Sequence, residues 1–191
     1  LRFCLICLVP SADQQAKSPR HGPSMRGLFD LNHCIPRRHI AFLGHADDHY
    51  PEFAARYRGL GLAMQEAGIV PDRSLQHDAI TTEEAGHAAA LALIASGVPF
   101  DAVFAGSDLI AIGALRALSE SGRRVPADVA VVGFDDIPAA SHTNPPLTTI
   151  MQDIRGAGER LLEVLLAQIE GREQPGTRLP TRLIVRASTG G

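Results

Sequence analysis

The sequence predicts an α/β fold, a parallel sheet with helices on both faces. Three observations carry this. Short runs at His39–Leu43, Ala102–Ala105 and Val129–Phe134 are almost wholly apolar, as expected of strands covered on both sides. Segments with helical spacing of apolar residues stand between them. Residues that start and stop helices punctuate the alternation, so strand follows helix as a parallel sheet requires.

The first helix opens at Pro51, which suits a first turn. It places Phe53, Tyr57, Leu60 and Met64 on one face, and Gly68 is a fitting stop. Thr81 and Glu84 have the spacing of a capping box. The alanine-rich helix they open runs to about Ser96 and ends at Gly97. Ser107 is placed to cap the next helix, 108–121, through its hydroxyl. The polar seam of that helix is thin: Asp108, Arg116 and Glu120. A helix apolar nearly all round is buried. One side therefore covers the sheet, and the other meets a neighbouring helix or a second subunit. Asn144-Pro145-Pro146 reads as a turn and Leu147–Met151 as a strand. Residues 153–170 form a strongly amphipathic helix with Ile154, Leu161, Leu162, Leu165, Leu166 and Ile169 on a wide apolar face. Arg182–Arg186 is the last strand. Residues 1–37 read as largely irregular, with Pro10, Pro19, Gly22 and Pro23 as breakers and a short helix at Met25–His33 that Pro36 blocks.

The 191 residues are 45% hydrophobic and 20% charged, which suits a soluble globular chain. The net charge of −3 and isolated arginine pairs give no basic nucleic-acid footprint. No apolar run approaches the ~18 residues of a membrane span, and Phe3–Val9 is short for a secretory signal. A cytoplasmic protein with no membrane partner is expected. Three cysteines, Cys4, Cys7 and Cys34, argue against a disulfide framework. Cys4-x-x-Cys7 has no second such pair and reads as small buried hydrophobes rather than a zinc site.

Ligands of open parallel sheets bind beyond the carboxyl ends of the strands. Ser107 and Asp135 stand at two such ends. Asp135 accepts hydrogen bonds only, Ser107 donates and accepts, Arg58 offers a fork of donors and Gln152 an amide. Together they suit a small, polar, neutral molecule such as a sugar or nucleobase. The chain has no Trp for sugar stacking, which leaves Phe134 and Tyr57. Catalytic signals are weak. Ser107 lies in AGSDL, which lacks the nucleophile elbow. There is no P-loop, and Gly59-Leu-Gly61 sits inside a helix. His45-Ala-Asp47-Asp48-His49 resembles a metal-binding composition and reads as a polar loop. No enzyme activity, metal or cofactor is expected.

Residues 38–189 carry RRHIAFLG, ARYRGLGLAMQEAG, FDAVFAGSDLIAIGALRALSESGRRVPADVAVVGFDD, PPLTTIMQD and LPTRLIVRAST. This combination resembles the effector-binding core of the LacI/GalR transcriptional regulators. The resemblance implies a type I periplasmic-binding-protein-like fold, two hinged αβ subdomains around a cleft. It implies a C-terminal sensor subdomain at 38–152, a helix of the N-terminal subdomain at 153–178, and a returning strand and tail at 179–191. It matches Arg58 to the effector-binding arginine of R-x-x-G, Asp135 to the first acid of G-[FY]-D-D, and Gln152 to the residue after T-T-x. Ser107 stands where many members have Asn before Asp. It implies a homodimer through the 108–121 helix, and DNA contact only through a helix-turn-helix domain that no stretch of this sequence resembles. One complete subdomain and part of another are thus expected, with weak effector binding and no operator binding by this chain. The alternative is a periplasmic sugar-binding protein of an uptake system.

Overall fold

The computed structural model describes residues 37–174, 176 and 179–191. The three cysteines and the Met25–His33 helix lie outside the described residues. The strands are β1 (Ile40–Leu43), β2 (Gln76–His77), β3 (Ala102–Ala105), β4 (Ala130–Asp135), β5 (Thr148–Gln152) and β6 (Thr181–Ile184). They form one sheet in the order β2-β1-β3-β4-β5-β6. Every pairing is parallel except β5 with β6, which is antiparallel. All four residues of β1 are buried, although successive side chains point to opposite faces. Both faces are therefore covered, as the apolar runs predicted. β2 has only two residues, too few to leave a periodic signature in the sequence.

The helices are α1 (Pro51–Glu66), α2 (Glu83–Ala95), α3 (Asp108–Glu120) and α4 (Ile154–Ile169). Pro51 begins α1, and Phe53, Leu60 and Met64 are buried on its inner face. The cap of α2 is Thr82, one residue beyond the expected Thr81; its hydroxyl accepts from the Ala85 N–H at 3.1 Å. Ser107 caps α3 as expected, accepting from the Ile110 N–H at 3.3 Å.

The outer side of α3 meets α2, a neighbouring helix. Two glycines permit the approach. A Cβ on Gly113 would lie 2.0 Å from the Glu83 carbonyl oxygen, and one on Gly86 would lie 2.3 Å from that of Ile110. His87 Nε2 and Glu120 Oε2, 2.6 Å apart, join the two helices at their rim. Ile112 and Leu109 remain half-buried and Arg116 exposed.

The last strand ends at Ile184 rather than at Arg186. The Arg186 N–H turns to the Thr148 hydroxyl at 2.8 Å, which draws the chain out of the ladder. Ser188 then donates to the Val131 carbonyl at 2.6 Å and accepts from the Thr148 N–H at 2.8 Å. The tail is thus tied across β4 and β5.

Helix α4 keeps its apolar face in the open. Ile154, Leu161 and Ile169 are 69%, 70% and 73% exposed, and Leu162, Leu165 and Leu166 are also exposed. Covering such a side chain is worth about 1.5–3 kcal/mol, and a contiguous patch of this kind drives association. The chain should self-associate at high concentration in size-exclusion chromatography. The double change Leu161→Glu, Leu165→Lys should shift it to the monomer volume. A single sharp monomer peak from the unaltered chain would defeat this expectation.

Candidate functional site

The site forms where β1, β3, β4 and β5 end at one rim of the sheet. The turn after β4 leaves the strand abruptly: Asp135 has φ 117° and Asp136 φ 57°. Two consecutive non-glycine residues at positive φ cost about 1–3 kcal/mol each, so their surroundings must hold them there. Gln152, at the end of β5, donates from Nε2 to Asp135 Oδ1 at 2.6 Å. Arg186 donates to Asp136 Oδ1 at 2.7 Å and to the Leu147 carbonyl at 2.7 Å.

Arg56 of α1 reaches the same rim. Its guanidinium donates to the Gly106 carbonyl at 2.6 Å and lies 3.9 Å from the centre of the Phe134 ring. Gly106 leaves room for the Phe53 ring of the same helix, because a Cβ there would meet that ring at 2.3 Å. Partial burial lowers the pKa of Arg56, and the Asp135 charge raises it. Burial likewise pushes the Asp135 carboxyl up, and Arg56 and the Gln152 amide draw it down. An acid, a guanidinium stacked on an aromatic face and an amide therefore share one half-buried rim.

The structure brings Asp135 and Gln152 together. It places Ser107 one strand away, buried, with its hydroxyl engaged in capping α3. It does not bring Arg58 to the cluster. Arg58 points outward from α1, 61% exposed, and pairs with Asp48 at 3.1 Å. This placement has a plain cause. Arg56-Tyr57-Arg58-Gly59 and Arg58-Gly59-Leu60-Gly61 both satisfy R-x-x-G, and two residues along a helix are about 200° around its axis. Burial of Phe53, Ala54 and Leu60 sets which arginine faces the sheet. Tyr57 packs on Phe42 with ring centres 5.2 Å apart, so of the two aromatics named from the sequence only Phe134 meets the cluster. Nothing in the sequence groups Asp136, Arg186 and Asp108, because their spacing along the chain gives no hint of proximity.

His45 stacks on Tyr50 with ring centres 4.0 Å apart. Its Nδ1 lies 3.8 Å from Asp47 and 3.6 Å from Asp78. Among the described residues no three His, Cys, Asp or Glu side chains are arranged to hold a metal ion, and no helix is long and apolar enough to cross a membrane.

A rim of this kind, on a parallel sheet, defines a small-molecule binding domain. Residues 36–189 match the periplasmic binding protein-like domain, and the chain belongs to that family, in the form found as the effector-binding domain of LacI/GalR regulators. The regulator CelR of Thermobifida fusca is 41% identical over 135 residues, 70% of this chain and 40% of that protein. The solved CelR–cellobiose complex is 39% identical with a TM-score of 0.73, over 80% of this chain and 47% of that one. The lac repressor dimer bound to operator and the anti-inducer ONPF is 31% identical with a TM-score of 0.75, over 80% and 53%. The chain spans about half the length of the curated relatives it matches.

Proposed function

We propose that this chain senses a small, polar, uncharged effector, a sugar or nucleobase, for a LacI-type transcriptional regulator. The carrying observation is the Asp135 carboxylate, held by Gln152 at the strand-end rim beside the Arg56 guanidinium. A carboxylate and a guanidinium side by side offer acceptors and donors for hydroxyl groups, while their charges largely offset and favour a neutral ligand. Phe134 gives an apolar surface for the ring. The relative solved with cellobiose supports a sugar. Regulator relatives, rather than uptake proteins, support sensing over transport. Contact with DNA belongs to the whole regulator, and a homodimer would use the free stripe of α3 around Ile112 and Arg116.

Amide NMR of the labelled chain titrated with cellobiose, maltose, adenine and glucose 6-phosphate tests this. A neutral ligand at millimolar concentration should move the amides of 106–108 and 134–137 and the side-chain amide of Gln152, and the phosphate ester should not. Silence at these residues for every neutral compound, or shifts confined to another face, would overturn the reading.

A further inference from the structure

Asp108 is fully buried, and among the described residues no cation pairs with it. Helix α3 does not need it as a cap, because the Ser107 hydroxyl already serves the Ile110 N–H. Both carboxylate oxygens instead leave the helix. Oδ1 accepts from the Thr149 hydroxyl of β5 at 2.5 Å, and Oδ2 accepts from the Ile137 N–H, just past the strained turn, at 2.9 Å. Thr149 in turn accepts from the Asp136 N–H at 3.3 Å. The carboxylate crosses the sheet over Gly133, where a Cβ would meet Oδ1 at 2.2 Å. A glycine inside a buried strand weakens it, and here it clears that path.

Burying a charge is costly unless hydrogen bonds hold it. Burial, Asp135 and Asp136 all disfavour the ionised form of Asp108, and its two hydrogen bonds favour it. Neither the cap nor the ion pairs of the rim account for this arrangement. What it achieves is to fasten the backbone of residues 136 and 137 on the side opposite Arg186. We infer that Asp108, acting with Thr149, is a positioning residue of the effector site: it holds the positive-φ turn so that the Asp135 carboxylate meets Gln152 at the strand-end rim. The inference deepens the proposed function and rests on Asp135 as an effector contact.

The test uses the full chain with Asp108→Ala, Thr149→Val and Thr149→Ser. Two readouts need no ligand: hydrogen exchange at the Asp136 and Ile137 amides, and the resonance of the Gln152 side-chain amide. In Asp108→Ala the Ile137 amide should exchange about tenfold faster or more, the size of one lost hydrogen bond to a charged group. The Gln152 amide should move toward the position of a free amide. The Val103 and Leu118 amides should keep their protection. Thr149→Val should do the same at Asp136, and Thr149→Ser should restore it. If Asp108→Ala does not fold, the two Thr149 variants decide. Unchanged Ile137, Asp136 and Gln152 signals would overturn the inference, and so would equal loss of protection at every core amide. Cellobiose separates the two levels. Local loosening with no cellobiose shift in the unaltered chain removes the effector reading and leaves the brace. A cellobiose midpoint about tenfold higher in Thr149→Val supports both.

Discussion

Alanine at Gly113 should destabilise the protein by about 3 kcal/mol or more, at the upper end of overpacking costs. The new Cβ would sit 2.0 Å from the Glu83 carbonyl oxygen and 2.6 Å from the His87 nitrogen. Both are backbone atoms of α2 and cannot rotate away, so the two helices must part. Parting them exposes Leu118, Ala114 and Leu93, all at most 1% exposed now. Alanine normally favours a helix over glycine by about 1 kcal/mol, so the observed loss is net of that gain. Gly59 of α1 is the control. A Cβ there meets nothing within 4 Å, and Gly59→Ala should stabilise by about 0.5–1 kcal/mol. Urea unfolding of the two variants checks both signs. Equal effects at the two positions would mean that the α2–α3 approach is looser than described.

The same glycines show what could be read from the chain. The four-residue strands β1 and β3 were legible because both of their faces are apolar. The start of α3 was legible because a serine stood before an apolar helical run. That one side of α3 would meet α2 was not legible. Gly86 and Gly113 lie 27 positions apart, and small residues on a helix do not say which surface comes close. In the site, Asp135 and Gln152 could be found because each ends a recognisable strand. The part Asp108 plays in the site was not legible, because a first-turn acid is ordinary for a helix. Its partners, Thr149 and the Ile137 N–H, become neighbours only when β4 and β5 pair. Arg186 reaches Asp136 over 50 positions through a tail that leaves the sheet, a path with no periodic signal.

Arginine offers the sharpest test of where effector recognition lies. Arg56→Ala should weaken binding of a neutral sugar by about tenfold to a hundredfold, the value of a hydrogen bond from a charged donor. It should also change the Asp135 carboxyl. With the guanidinium gone, burial acts on that group without its main opposing charge, so its pKa should rise further. Asp135 then holds its proton to higher pH, and sugar binding that needs the carboxylate should fall off at a higher pH as the solution is acidified. Arg58→Ala should do neither. Its partner Asp48 is 91% exposed, and exposed pairs contribute about 0–1 kcal/mol. Sugar affinity should therefore change by no more than about fivefold. Calorimetric titration and carboxyl NMR of both variants separate the two overlapping R-x-x-G registers. If Arg58→Ala abolishes binding while Arg56→Ala preserves it, the ligand approaches over the outer face of α1, and the rim built by Asp135, Gln152 and Phe134 is not where it sits.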